Sequence, residues 1–134
     1  MTSARLAQIR LHPIKSLDPV SVQESRIGPG GGLEFDRVWS LFSADGQWVN
    51  GKSTPLIHQI RATFARDLSS VILSLHVTPH PLGAREIAFP SDTARAGEWF
   101  SAFFKQEIRV KYSAEGFPDD HPFERQARGM PEPW

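Results

Sequence analysis

Residues 36–50 have the sequence DRVWSLFSADGQWVN, and they predict an antiparallel β-hairpin. The Asp45-Gly46 dipeptide is typical of tight hairpin turns because those turns need positive φ angles. Trp39 and Trp48 lie on opposite predicted arms, where aromatic pairing across the strands would stabilise the hairpin, or the two rings would flank a ligand. The predicted arms are residues 36–43 and 47–50.

Short segments on both sides of the hairpin alternate apolar and polar residues, which predicts half-buried strands. The glycine-rich run 28–32 separates the predicted strand 19–26 from the first arm of the hairpin. Many short strands favour a mainly β fold, a compact, closed or nearly closed antiparallel β-barrel, because closure removes exposed sheet edges. An open antiparallel sheet with a helix across one face is the alternative. The further predicted strands are residues 5–11, 19–26, 60–64, 71–77, 85–89 and 107–112.

One amphipathic helix is predicted over about residues 92–105, with Ser91 or Asp92 as its N-cap. Its apolar residues form a single stripe at helical spacing, which favours packing against the sheet over a partner surface. The expected domain spans residues 1–113, and the polar tail 114–134, with four prolines, is expected to be irregular or disordered. The stripe consists of Ala96, Trp99, Phe100, Phe103 and Phe104.

Composition excludes several classes of function. The 134 residues suit one domain, and 15 basic residues balance 15 acidic ones, so no net charge attracts nucleic acid or an anionic membrane. There is no cysteine, hence no disulfide, no thiolate nucleophile and no thiolate metal ligand. The polar amino terminus predicts neither a signal peptide nor a membrane span, so a cytoplasmic location is expected.

A phosphate-loop expression matches residues 46–53, GQWVNGKS, but its surroundings do not suit that function. Trp48 and Val49 are bulky where such a loop must approach an anion, and Pro55 argues against the helix that should follow. Nucleotide binding at this run is therefore a remote alternative. His76 and His80 have a helical ligand spacing, but the prolines around them exclude that helix, and no metal site is expected.

Four polar residues at separate positions are better candidates for anion binding than the phosphate-loop match. Lysine supplies a mobile point charge, and arginine supplies a planar fork that can hold two oxygens of a phosphate. From spacing alone, the favoured interpretation is that each is a solvated surface charge, or that Arg37 pairs with Asp36 or Glu34. The candidate residues are Lys15, Ser16, Arg37 and Lys52.

Three motifs place these residues in a known pattern: HPIKSL at 12–17, GLEFDRVW at 32–39 and DGQWVNGK at 45–52. Together they resemble the amino-terminal β-barrel domain of the MOSC family, whose full-length members hold a molybdenum cofactor. The resemblance covers most of residues 9–112. It implies that Lys15, Ser16 and Arg37 help to hold the phosphate of the pterin.

The chain departs from the family pattern in two respects. The third motif usually closes with Thr-Gln-Arg, whereas this chain has Asn50-Gly51-Lys52, which keeps the charge but loses the guanidinium fork. The family's second domain, with its metal-binding cysteine, is not found in these 134 residues. The resemblance therefore implies a module that is not catalytic alone and holds no cofactor tightly by itself.

Three hypotheses follow from different functional classes. In the first, the chain binds a small anion and contributes an edge to a molybdenum cofactor site that a partner protein with a MOSC domain completes. In the second, it is a structural or interaction domain that has lost the cofactor. The third is nucleotide binding at residues 46–53. Neither nucleic acid nor a membrane is an expected partner.

Overall fold

The structure, a computed structural model, describes residues 4–28, 31–77 and 80–113. These residues form eight strands, one α-helix and one short 3-10 helix, so the mainly β fold with a single α-helix is confirmed. The tail predicted for residues 114–134 lies outside the described residues. The strands are β1 Ile9–Leu11, β2 Val20–Val22, β3 Trp39–Ser43, β4 Trp48–Val49, β5 Ile60–Phe64, β6 Ser70–Leu75, β7 Arg85–Ala88 and β8 Ile108–Tyr112; the helix α1 is Thr93–Phe104 and the 3-10 helix is Pro55–Gln59.

The strands form three antiparallel sheets, in the orders β1-β2, β4-β3-β8 and β5-β6-β7. The closed barrel predicted from the sequence is not confirmed, since no sheet among the described residues closes on itself. Closure requires every strand to pair on both sides, and strands as short as β1, β2 and β4 offer few groups for a second ladder. All three sheets nevertheless contribute residues to one hydrophobic core.

The predicted hairpin is present as β3 and β4, but the predicted Trp39–Trp48 pair is wrong. The ladder places Phe42 opposite Trp48, with ring centroids 4.9 Å apart. Trp39 lies beyond the end of the two-residue strand β4 and is paired in register with Tyr112 of β8. Its ring contacts Phe89 at 5.0 Å. The turn set this register, because Ser43 N–H donates to the Gln47 carbonyl.

Residues 12–15 run parallel to residues 37–39 and join the first sheet to the second. Three backbone hydrogen bonds hold them together: Arg37 N–H to His12 O at 2.6 Å, Trp39 N–H to Pro13 O at 3.1 Å, and Lys15 N–H to Trp39 O at 2.8 Å. Ile14 and Trp39 form the bridge between the two segments and both point into the core. This pairing positions the first motif.

The helix covers the core as its apolar stripe predicts. Asp92 is the N-cap and accepts a hydrogen bond from Arg95 N–H, and Lys105 ends the helix in the left-handed conformation. Ala96, Trp99 and Phe100 are buried, and Phe103 and Phe104 pack against the core at its margin. Each large side chain buried in this way contributes about 1.5–3 kcal/mol, which explains why the helix packs on the sheet.

Ser101 joins α1 to β8, and its loss is expected to destabilise the fold. Its Oγ donates to Gly97 O at 2.7 Å and accepts from Ile108 N–H at 2.8 Å. Ser101→Ala leaves the Ile108 amide without that acceptor, so we expect a loss of about 1–3 kcal/mol in the free energy of unfolding, measured with urea. Ser91→Ala, at an exposed position, should change it by less than about 0.5 kcal/mol. Equal effects of the two changes would contradict this role.

Two exposed turns contain matched Ser–Asp pairs. The Ser43 hydroxyl lowers the pKa of Asp45 below its ordinary value of 3.8, and the Ser69 hydroxyl does the same to the pKa of Asp67. Because both folded-state pKa values are lowered, each pair stabilises the fold above the ordinary pKa, and this contribution is lost as pH falls through the folded-state pKa.

Each serine is therefore expected to control one carboxylate only. Ser43→Ala should raise the pKa of Asp45 towards its ordinary value and leave Asp67 unchanged, and Ser69→Ala should do the reverse. Carboxyl carbon shifts followed by NMR over a pH titration measure both values. If either substitution moved both pKa values equally, the local hydrogen bonds would not be their cause.

Candidate functional site

Lys15 is a buried cation at the centre of the candidate site. Only 6% of the residue is exposed, and its Nζ lies 4.4 Å from the centroid of the Trp48 ring. A buried ammonium group is costly unless other groups compensate it, and the face of an indole ring supplies part of that compensation. The backbone bond to Trp39 fixes the base of the side chain, so Lys15 is held over β4.

Ser16 connects the first motif to the turn that follows β4. Its φ angle is +73°, in the left-handed region, and its Oγ accepts a hydrogen bond from Gly51 N–H at 3.0 Å. A Cβ at position 51 would lie 3.0 Å from His58 Cε1, so the imidazole ring packs directly against the glycine backbone. Gly51 thus allows Ser16 and His58 to approach the same turn.

Asn50 shapes that turn. The residue is 3% exposed, and its Oδ1 accepts from Lys52 N–H and Ser53 N–H, both at 3.0 Å, and from the Ser53 hydroxyl at 3.1 Å. Its carbonyl accepts a further bond from Thr54 N–H at 2.8 Å. Lys52 is exposed at the surface of this turn. Where the family pattern has Thr-Gln-Arg, this chain therefore has a turn that the Asn50 side chain caps and that carries Lys52.

Arg37 is oriented by its neighbour. Its Nη1 lies 2.6 Å from Asp36 Oδ2, and the other oxygen of that carboxylate accepts from His12 N–H at 2.8 Å. Arg37 also has a positive φ of 53°, and 35% of its side chain is exposed. The ion pair between Arg37 and Asp36, one of the alternatives from sequence, is present and offsets part of the arginine charge.

The structure links three of the four predicted residues through one turn. Lys15 and Ser16 follow each other, and Ser16 is bonded to Gly51, which precedes Lys52. Arg37 lies at the other end of the pairing between residues 12–15 and 37–39, beside His12. The candidate site is therefore an edge of polar groups along this pairing and the turn after β4.

The phosphate-loop match at residues 46–53 spans the hairpin turn, β4 and the turn that follows β4. Gly46 occupies the hairpin turn with φ +82°, and Trp48–Val49 pair with β3, so the phosphate-loop match lies in an antiparallel ladder. Across the residues that the structure describes, no group of three or more His, Cys, Asp or Glu side chains is placed to hold a metal ion.

A large open cleft of about 1120 Å³ lies elsewhere, between the β2 end and the β5–β6 turn. Its lining includes Val22, Arg26, Phe35, Arg66 and Leu68, and it holds none of the four predicted residues. The charged side chains of its lining are three acidic ones and two basic ones, so its charge does not select an anion. The cation of Lys15 and the hydroxyl of Ser16 therefore make the edge around them a better candidate anion site than this larger cleft.

A sequence profile of the MOSC N-terminal beta barrel domain matches residues 3–107. The chain belongs to this family. No curated protein and no solved structure matches it significantly. No described helix of this MOSC N-terminal domain has the length and apolar character needed to cross a membrane.

Sequence reasoning missed two contributors to the site. Asn50 is followed by glycine, a pattern typical of turns that an Asn side chain caps, and that signal would have identified it. His58 carries no comparable local signal, because only the fold brings it against Gly51. Trp48, whose ring the sequence offers as a possible flank of a ligand, contacts Phe42 and Lys15.

Asn50 is expected to be essential for the shape of the turn. Asn50→Ala removes an acceptor shared by two backbone amides, so we expect a loss of about 1–3 kcal/mol in the free energy of unfolding and faster hydrogen exchange at Lys52 and Ser53. Ser53→Ala removes only the hydroxyl and should cost less than half as much. If Asn50→Ala left exchange at both amides unchanged, the side chain would not hold the turn.

Proposed function

We propose that this MOSC N-terminal domain is a binding module that supplies an anion-binding edge, through Lys15, Ser16, Arg37 and Lys52, to a molybdenum cofactor site. The observation that carries the proposal is the burial of Lys15, a cationic residue, next to Ser16 and the turn after β4. A buried cation attracts an oxyanion more strongly than an exposed one, because less solvent screens it.

The donor set fits a phosphate group. Lys15 supplies a charged donor, Ser16 supplies a hydroxyl whose oxygen is already held by Gly51 N–H, and Arg37 supplies a fork directed by Asp36. With its oxygen accepting from Gly51, the Ser16 hydroxyl proton is available to donate to an oxyanion. The residues would hold the pterin phosphate and exclude water from it, whereas Lys52 adds charge at the rim.

The same residues do not fit the metal. The 134 residues contain no cysteine, so a thiolate ligand for molybdenum has to come from a MOSC domain outside them. When bound, the cofactor supplies the redox chemistry of its metal. We propose that a partner protein carries that domain, that the chain alone is not catalytic, and that the assembly is cytoplasmic.

A structural or interaction role is the second candidate, and two contacts favour it. Lys15 lies over Trp48, and Arg37 is paired with Asp36, so both cations already have stabilising neighbours within the fold. In that case the charges maintain the packing of the first motif against the hairpin, and no anion is needed. The two candidates differ in what removal of the Lys15 charge does.

Lys15→Met is the decisive change, because methionine keeps an apolar chain over Trp48 and removes the ammonium group. We expect the wild-type chain to bind inorganic phosphate in an NMR titration at low salt, with shifts at Ser16 and Gly51, and the variant to bind about tenfold more weakly. Repeating both titrations at high salt should reduce the difference.

Arg10→Ala is the matched control, since it removes one exposed positive charge from β1. It should leave the phosphate affinity within a factor of two of wild type. Unmoved resonances of Ser16 and Gly51 at high phosphate would refute the anion-binding edge. A Lys15→Met variant that loses stability but shows the wild-type phosphate response would support the structural role.

A further inference from the structure

The open cleft beside β2 is bounded on one side by a continuous stretch of the chain. Every residue of 21–26 contributes to its lining, and residues 66–68 of the β5–β6 turn contribute as well. Side chains of an extended segment alternate between two faces, so a run of consecutive lining residues indicates that the edge of the backbone borders the cleft. The cleft therefore offers main-chain groups as well as side chains.

Those main-chain groups have few partners in the described part of the chain. Strand β2 pairs only with β1, so its second edge has no strand partner among the described residues. Beyond β2, the backbone groups of residues 23–25 form no hydrogen bond with another described backbone group, and the next bond is that of Glu34 N–H to Arg26 O at 2.6 Å. An unpaired backbone edge of this kind is a template for an added strand.

Four apolar side chains line the cleft next to this edge. Leu11 and Val22 belong to the sheet β1-β2, Leu68 belongs to the β5–β6 turn, and Phe35 lies in the loop before β3. Phe35 and Leu68 have positive φ angles of 67° and 59°, a conformation that costs residues other than glycine about 1–3 kcal/mol. Phe35 is also 43% exposed. The fold thus holds apolar side chains at the cleft in spite of unfavourable backbone conformations.

The charges of the lining favour an occupant without a large net charge. Asp67 accepts a hydrogen bond from the Ser69 hydroxyl at 2.6 Å, so its carboxylate already has a donor. An occupant with charges of both signs complements the other charged side chains. These are two acids and two bases that form no ion pair with another described side chain: Glu24, Arg26, Glu34 and Arg66.

The size of the cleft favours a polypeptide over a small molecule. Its volume of about 1120 Å³ exceeds the range of about 300–1,000 Å³ that is usual for small-molecule pockets. An extended chain rises about 3.3 Å per residue, so residues 21–26 offer an edge of at most about 20 Å. A strand of about six residues matches that length.

We propose that the cleft binds an extended peptide segment of a partner protein, which adds as a strand to the unpaired edge of residues 21–26. The segment carries apolar side chains at alternate positions, which pack on Val22, Phe35 and Leu68, and one charged residue of each sign. Main-chain hydrogen bonds give affinity, and the apolar contacts give sequence preference. The inference goes beyond the proposed function, because none of the four anion-site residues lines the cleft.

The probe is a phage-displayed library of random heptapeptides, selected on the full 134-residue chain. Selected peptides are synthesised with blocked ends and titrated into the isotope-labelled chain by NMR. We expect apolar residues at every second position of the selected sequences, and shifts at residues 21–26, 34–35 and 66–68. A selection that yields no peptide with shifts at these residues would overturn the proposal.

Methylation of single peptide nitrogens tests whether binding uses the main chain. In an added strand, only alternate N–H groups point towards the edge that the strand pairs with. Methylation at those positions should weaken binding about tenfold or more, and methylation at the intervening positions by less than about threefold. Equal losses at neighbouring positions, or no loss at any position, would contradict strand addition.

Phe35→Gly tests the apolar lining, because glycine adopts the φ angle of this position freely. The variant should unfold at about the wild-type urea concentration, since relief of the backbone conformation offsets the added freedom of the unfolded chain. It should bind the selected peptides about tenfold more weakly. Ile27→Ala is the matched control, since Ile27 is 76% exposed and lies outside the lining, and it should preserve peptide affinity within about twofold. Equal affinities of the two variants would refute the apolar contacts.

Two measurements without peptide identify other occupants of the cleft. We expect fast hydrogen exchange at the amides of residues 23–25 and shifts that do not depend on protein concentration. Protected amides in the monomer would show that the chain itself fills the cleft, and concentration-dependent shifts would show that a second copy does; either result overturns the proposal. The phosphate titration is read at Ser16 and Gly51, so its outcome is independent of this one.

Discussion

The parallel pairing of residues 12–15 with residues 37–39 is the constraint on which the candidate site depends. Three backbone hydrogen bonds hold it, and the bridge between Ile14 and Trp39 buries both side chains in the core. Because side chains alternate across such a pairing, burying Ile14 directs Lys15 to the opposite face, towards Trp48. The same pairing places Arg37 beside His12, with Asp36 bonded to both residues.

Burial sets the electrostatic environment of two polar side chains in this part of the fold. Lys15 and Ser40 are both buried, and the Lys15 ammonium group lies over the Trp48 ring. A buried environment strengthens the attraction between a cation and an oxyanion, because less water screens it. Lys52 is exposed to solvent, and Arg37 is paired with Asp36, so screening by water and a fixed carboxylate weaken the fields of these two cations.

Much of the fold was predictable from local patterns. The alternating strands, the Asp45-Gly46 hairpin turn and the helix capped by Asp92 all follow from propensity and periodicity, and the structure contains them. The Trp39–Trp48 pair was wrong because the register depends on turn geometry and strand length, and β4 ends before it reaches Trp39. Closure into a barrel also depends on pairing between distant strands, which local pattern does not specify.

The strands and the helix follow from periodic patterns within a few positions of the chain, and Lys15, Ser16 and Arg37 follow from short motifs that resemble the family. Which of these residues share an edge depends on contacts between distant segments, since Ser16 is bonded to Gly51, 35 positions further along the chain. The tertiary structure alone brings residues 66–68 to the same cleft as residues 21–26. Long-range contacts of this kind arise from core packing, which selects one register among many that the local sequence permits.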